Sequence, residues 1–193
     1  DDGSKDNTAK IGKEYADKYP DTFRVISKEN GGHGSTINCG IRNAVGKYFK
    51  VVDGDDWVNT ADFVKLVEDL EKTESEYVFT NYYEYYDDVN RQKAVDFPQF
   101  KDGTEYDFAD VANKVYIPMH ALVIKTSVLK DNNIVIDEKC FYVDVEYVMF
   151  PVPFVNKVTF FDLHVYMYRL ALSTQSVSIL GFQKHINDHL RVT

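Results

Sequence analysis

Residues 48–58 read YFKVVDGDDWV. An almost wholly apolar run, broken only by Lys50, leads into Asp53, Asp55 and Asp56 set around one glycine. Such a run suits a strand covered on both faces. In open α/β sheets, ligands gather at the carboxyl ends of strands. The stretch therefore predicts a strand over 48–52 with an acidic loop at its end. Carboxylates crowded into one turn repel each other unless a cation sits among them. Oxygen-only ligands favour hard ions such as Mg²⁺ or Mn²⁺. The plainer reading of a bare D-x-D is a solvated Asp/Gly turn. A calcium loop of the EF-hand type starting at Asp53 fails, because its twelfth position is Val64 rather than Glu.

Working outward, TADFVKLVEDLEKT (60–73) repeats Phe63, Leu66, Val67 and Leu70 at helical spacing, with Thr60 as the expected cap. On the other side, STINCGIRNAVG (35–46) reads as a helix stopped by Gly46, entered from the glycine-rich loop KENGGHGS (28–35). FRVIS (23–27) reads as a short strand. TAKIGKEYADKY (8–19) reads as a helix capped by Ser4 or Asp6. This alternation predicts an α/β layer with a mainly parallel sheet.

The second half reads differently. Residues 76–97 predict a hairpin turning near residues 88–91. MHALVIKTSVLKDNN (119–133) predicts a strand leading into a short helix, and YVDVEYVMFPV (142–152) a helix ending at Pro151. KVTFFDLHVYMYRL (157–170) predicts two strands, and LGFQKHINDHLRV (180–192) a terminal helix. With no repeat, low-complexity tract or linker, the 193 residues read as one domain, a nucleotide-binding half over 1–75 and a less regular half over 76–193.

Composition narrows the function. The hydrophobic fraction is 44% and the aromatic fraction 15%, enough for a real core. A net charge of −9 with no basic face argues against a nucleic-acid partner. Cys39 and Cys140 are too few for a disulfide framework and form no CxxC pair, so they read as reduced thiols in a cytoplasmic protein. No apolar run reaches the roughly 20 residues needed to span a bilayer.

Several short stretches carry chemistry only weakly when taken singly. DDGS (1–4) is ordinary turn chemistry. The loop ENGGHGS (29–35) offers backbone N–H groups to an anion at a helix entrance, or is a flexible connector. His33 either meets a phosphate or fills the turn. His120 faces an acceptor or sits hydrogen-bonded in the core. Trp57 shapes the site floor or anchors the loop. The tyrosines of YVFTNYYEYY (77–86) stack sugars or simply pack.

The ordered set is far more specific. DDGS-x-D, NGGHGS-x-x-N-x-G, A-x-G-K-Y-F and D-x-DDW follow one another over residues 1–57. This resembles the family 2 glycosyltransferases, an inverting group with the GT-A (Rossmann-like) fold, and most of all its bacterial exopolysaccharide-building members. The resemblance continues more loosely through FYVDVEY (141–147) to YRLALSTQSVS (168–178). It implies a mixed, mainly parallel sheet with flanking helices. It implies transfer of a sugar from a nucleotide-diphosphate sugar, a UDP-sugar above all, to a saccharide or lipid-linked acceptor, assisted by Mn²⁺ or Mg²⁺. The acceptor could be membrane-associated, and the setting cytoplasmic, at the inner face of the plasma membrane.

Residue by residue, the resemblance implies that Asp2 contacts the uracil, supported by Asp1. It implies that Asn30, Gly32 and Asn38 line the nucleotide, and that Asp53 and Asp55 meet the ribose and the metal-bound diphosphate. Asp144 would be the catalytic base. Many family members carry Glu-Asp there, whereas this chain has Val143 before Asp144, with Glu146 as a nearby second acid. Arg169, Gln175 and Ser176 would belong to a late loop closing over the diphosphate, with a structural ion pair as the other reading of Arg169. The family also has a strand, a helix and a second strand before DDGS, about 30–40 residues, so the chain is expected to lack that N-terminal unit. Two other classes remain open: a non-catalytic sugar- or nucleotide-binding module, and a nucleotidyltransferase built on a related sheet.

Overall fold

The computed structural model describes residues 1–170 and 179–192. Its spine is a pair of long strands, β3 (Tyr77–Tyr86) and β7 (Lys157–Leu170), which run parallel along their whole shared length. Each spends its outer edge on successive antiparallel partners. β3 pairs first with β6 (Leu122–Lys125) and then with β4 (Arg91–Val95). β7 pairs first with β5 (Thr104–Asp107) and then with β2 (Trp57–Val58). β1 (Tyr48–Phe49) closes the other end against β6. The order is β1-β6-β3-β7-β2, with β4 and β5 off this path.

The sheet is mixed, as the sequence led us to expect, but it is not mainly parallel. Among the described residues only the β3 and β7 ladder is parallel, and the remaining pairings are antiparallel. The strand–helix alternation that suggested parallel order lies in residues 1–75, whereas the second half supplies most of the sheet. The segment read as the strand FRVIS forms no ladder. Its end is held by the first residue instead: the Asp1 nitrogen donates to the Ile26 carbonyl at 2.9 Å, and the Lys28 N–H, just beyond the segment, to the Asp1 carbonyl at 3.0 Å.

Helices cover both faces. One core gathers Ile37 and Ile41 of α2 (His33–Asn43), Phe79, Leu122, Ile124, Leu129 of α5 (Thr126–Asp131), Tyr147 of α6 (Asp144–Met149) and Phe160. The opposite core packs Leu66 of α3 (Thr60–Lys72) on Val78, Val123, Phe161, Leu163 and Val165. Asn59, one residue before the expected Thr60, caps α3 by accepting the Ala61 N–H at 3.1 Å. The helix α1 (Thr8–Lys18) lies outside these cores and buries no residue. A short α4 (Phe108–Val111) follows β5, and α7 (Ile179–Lys184) and α8 (Ile186–Val192) end the chain where one helix was expected. β7 is one strand rather than two. Register irregularities between Thr80 and Tyr82 interrupt its ladder with β3 without ending the strand.

Candidate active site

The glycine-rich loop is built around Asp2. Its carboxylate accepts the Gly31 N–H at 3.0 Å and the Gly32 N–H at 2.8 Å, and pairs with the Lys28 ammonium. Burial pulls the Asp2 pKa upward, but the Lys28 bond and the two amides outweigh it and leave it below the usual carboxylate value. Two loop amides expected to wait for an anion are thus donated to the chain's own carboxylate. Asn30 adds to this lock by donating to the Asp2 carbonyl at 3.1 Å. Asp1 contributes mainly backbone, and its carboxylate caps the turn through the Ser4 N–H at 3.1 Å.

Glycine is required at two positions of the loop. Gly32 has φ +81°, the left-handed region. A Cβ on Gly34 would stand 2.0 Å from the Asp137 carbonyl oxygen, so the entrance of α2 and residue 137 are in backbone contact. Asn38 holds the same junction from deeper inside. It is buried, and its amide donates to the Ile136 carbonyl at 2.8 Å and accepts the Ile136 N–H at 2.9 Å. Asn38 therefore straps two segments together and does not line the cleft.

The acidic loop after β1 folds over a buried base. The Tyr166 hydroxyl donates to Asp56 Oδ2 at 2.5 Å and accepts the Asp53 N–H at 3.1 Å, while the Arg169 N–H reaches Asp56 Oδ1 at 2.8 Å. Burial raises the Asp56 pKa to about 6, assisted by the charges of Asp55 and Asp53 and opposed by those hydrogen bonds. Below the loop, the enclosed Lys50 donates to the His120 and Leu122 carbonyls at 2.8 and 3.3 Å. Burial lowers its pKa to about 7. Burial likewise lowers His120 to about 4, against the pull of Asp53, so its ring is neutral at neutral pH. That ring stacks on Tyr168 with centroids 3.8 Å apart.

Asp53, Asp56 and His120 each offer a ligand atom within 4.8 Å of the others, a grouping that could hold a divalent cation. It differs from the expected pair of Asp53 and Asp55. Asp55 is exposed on the same turn, where its charge acts on His33, Asp56 and His120.

The halves meet at a cavity of about 600 Å³, lined by Asn30, Gly32, His33 and Asp53 on one side and by His120, residues 139–142, Asp144 and Tyr168 on the other. His33, the first residue of α2, brings Nε2 to 3.0 Å from Asp53 Oδ1, an ion-pair distance although the direction misses an aligned hydrogen bond. Burial opposes its protonation, but Asp53, Asp144 and Asp55 together raise its pKa.

Asp144 opens α6. Burial raises its pKa, and Asp53 adds to this, while backbone amides and His33 act against it. Val143, where an acid is common in the resembled family, is fully buried in the core. Glu146 is also buried and accepts the Asp137 N–H at 2.8 Å, so it braces residue 137 and does not line the cavity. Arg169 forms the structural ion pair, with Asp87 at 2.8 Å. Gln175 and Ser176 lie outside the described residues. Trp57 packs edge-on against Tyr85 at 5.2 Å, and Tyr77 and Phe79 are core residues. Cys39 and Cys140 are both free. No described helix is long and apolar enough to cross a membrane.

Lys28, Lys50 and Tyr166 escaped the sequence reading. Lys50 alone left a signal, as a lone cation within an apolar run.

The glycine loop and the D-x-DD turn both fall in a stretch that matches a known family. The model of "Glycosyl transferase family 2" matches residues 1–132, and the chain belongs to that family. Among curated relatives, the uncharacterized glycosyltransferase EpsJ of Bacillus subtilis is 40% identical over 82 residues, covering 42% of this chain and 24% of EpsJ. The cholesterol galactosyltransferase of Borreliella burgdorferi is 25% identical over 199 residues, covering 95% of this chain and 55% of that protein. Among solved structures, S. aureus TarS 1-349 in complex with UDP-GlcNAc superposes with a TM-score of 0.68 at 19% identity, covering 100% of this chain and 54% of that one. The fold is thus the GT-A type of that structure, and the chain spans about half the length, or less, of these relatives.

Proposed function

We propose that this chain is one domain carrying the donor site and the base of an inverting glycosyltransferase, with residues 1–75 holding a UDP-sugar and residues 76–193 facing the acceptor. The observation that carries this reading is the single cavity shared by Asn30, Gly32, His33 and Asp53 from the first half and Asp144 from the second. In one displacement, the acceptor oxygen attacks the anomeric carbon while the bond to the diphosphate breaks. The base must then lie across the sugar from the leaving group, and a cleft with Asp53 and Asp144 on its two sides suits that demand. Asp144 takes the acceptor hydroxyl proton, and its raised pKa brings it closer to the working pH of a general base.

We assign Asp53 and Asp55 to the ribose and diphosphate, with Asp56 and His120 close enough to Asp53 to form a cation site with it. A bound Mn²⁺ or Mg²⁺ would offset the charge gathering on the leaving diphosphate. Asp2 and Asn30 fix the loop on which the uracil rests, and Asp1 supports them. Asn38 acts through the loop's anchorage rather than by contact. The acceptor we assign is a saccharide or a lipid-linked saccharide, met in the cytoplasm at the inner face of the plasma membrane.

The test uses the full-length protein with a panel of UDP-sugars that includes UDP-GlcNAc, with UDP release followed in Mn²⁺. Release is expected, and excess chelator should abolish it. Full turnover in chelator would sink the cation assignment, and no release across the panel would sink the transferase reading.

A further inference from the structure

The wall leading into Asp144 holds an unfavourable backbone. Within residues 137–142, two residues that are not glycine, Lys139 and Tyr142, adopt left-handed φ values of +53° and +62°. Such conformations persist only where the surroundings over-determine them, and they cluster at functional sites. On its inner side the wall is fixed by the glycine loop, with the Lys139 N–H donating to the Gly31 carbonyl at 2.7 Å. On its outer side it is gripped by α7 and α8. The Phe141 ring stacks on the His185 ring with centroids 3.6 Å apart and planes 24° from parallel. Tyr142 meets Phe182 at 5.3 Å and His189 edge-on at 5.4 Å. The Phe141 N–H reaches Asp188 at 3.4 Å, and Arg191 pairs with Asp137 at 2.7 Å.

This grip ends at the base itself. The carbonyl of the left-handed Tyr142 accepts the Val145 N–H at 3.3 Å, the bond that spans Asp144 and starts the first turn of α6. Meanwhile α8 buries no residue of its own. Its Val192 packs against the edge of the core, while Asp188, His189 and Arg191 reach the wall.

We infer that α7 and α8 form a clamp that positions Asp144, with His185 and Phe182 acting through Phe141 and Tyr142 as positioning residues. The inference rests on the reading of Asp144 as the base. The clamp holds the path of residues 139–142, left-handed at Lys139 and Tyr142, and that path fixes the direction in which α6 presents the Asp144 carboxylate to the cleft. Stacking does the work, so the imidazole of His185 matters as a flat ring rather than as a charge.

The test compares His185→Ala, Phe182→Ala and His185→Phe in the full-length protein by hydrogen exchange and by UDP release from the UDP-sugar panel. His185→Phe keeps the stack and loses the contact of His185 with Asp188, which is 3.5 Å away. In both alanine variants, exchange across residues 139–147 should rise about tenfold or more while the amides of β3 keep wild-type protection, the mark of local rather than global opening. kcat should fall about tenfold to a hundredfold with little change in the KM for donor, as expected for a displaced catalytic group. His185→Phe should restore both readouts. Unchanged exchange at 139–147 in both alanine variants overturns the clamp, as does a uniform rise over the whole chain. Failure of His185→Phe to rescue overturns the role of the stack. If the wild type releases no UDP, the transferase reading fails, and the exchange data still judge the clamp on their own.

Discussion

The first 75 residues and the strands that follow them divide the labour of this molecule unequally. In the first part, α1 buries nothing, and Ile11, Tyr15, Phe23 and Val45 are exposed by 51%, 53%, 47% and 95%. In the second, Val78, Phe79, Val158 and Val165 are each at 0%. Yet the first part carries nearly all the motif residues. A loop that must meet a ligand is specified by backbone freedom and charge, and its requirements recur as short motifs. A spine such as β3 and β7 is specified by volume and burial, which many apolar sequences satisfy. Motif density and packing density therefore lie in different places, and they meet at Asp144, a cleft-lining carboxylate mounted on a packed helix and proposed above as the base.

The largest expected effect is at that meeting point. Asp144→Asn keeps the shape and removes the basicity. In the full-length protein kcat should fall by about 10²–10⁴-fold, with UDP affinity by calorimetry nearly unchanged, because the proposed nucleotide site lies on the other part. A normal kcat would remove Asp144 as the base. Loss of UDP binding together with activity would place Asp144 in the donor site and break the division between the two parts.

Packing gives the next largest effect. Phe79 is fully buried and meets Phe97, Phe100 and Phe160 at centroid distances of 5.4, 5.1 and 5.0 Å. Phe79→Ala should cost about 3–5 kcal/mol in denaturant unfolding. A cost below about 1 kcal/mol would mean that the β3 and β7 spine is not where stability resides.

How much of this was legible from the chain follows the same division. The glycine loop and the acidic turn stood out because their features are local: several glycines before a helix, and carboxylates around one glycine; Asp144 was reached only through the family resemblance. Their supports did not stand out. Asp2 finds Lys28 at a separation of 26 residues, and Asp56 finds Tyr166 at 110. No periodicity links such pairs. The same blindness misjudged the sheet, because alternation in residues 1–75 says nothing about strands contributed later. Asn38 was misread for a related reason. Its motif position suggested a ligand contact, but its amide is used by Ile136, far along the sequence. The Asn59 cap was missed by one residue because Asn and Thr both suit that role.

Lys50 offers a finer test, since it is half-buried and bonded to the His120 and Leu122 carbonyls. Its ordinary pKa of 10.5 falls to about 7 on burial. Between those values the unfolded chain keeps a proton that the folded chain has released, so its contribution to stability rises with pH across the window. The penalty is present in full below about pH 7 and gone above about 10.5. Lys50→Met removes this component. Urea unfolding at pH 7 and pH 9 should show wild type gaining on the variant at the higher pH. A constant difference between the two proteins would mean that Lys50 stays charged, held by the His120 and Leu122 carbonyls.

The smallest effect should come from α1. Its ion pair between Lys13 and Asp17 is exposed by 72% and 64% on the two side chains, the kind worth only about 0.3–0.5 kcal/mol. Ile11 lies on the same helix and is half exposed. The helix approaches the rest of the chain at Gly12, where an added Cβ would stand 2.9 Å from Val25, and Val25 belongs to the segment that forms no ladder. Ile11→Ser keeps a residue of similar helix propensity and removes the apolar surface. Its effect on unfolding free energy should stay within about 0.5 kcal/mol, as for surface changes generally. UDP affinity should not move, because Ile11 lies outside the cleft lining. A loss of about 2 kcal/mol would require α1 to share a buried core with another element, and the contrast between a motif-bearing part and a packed part would have to be redrawn around it.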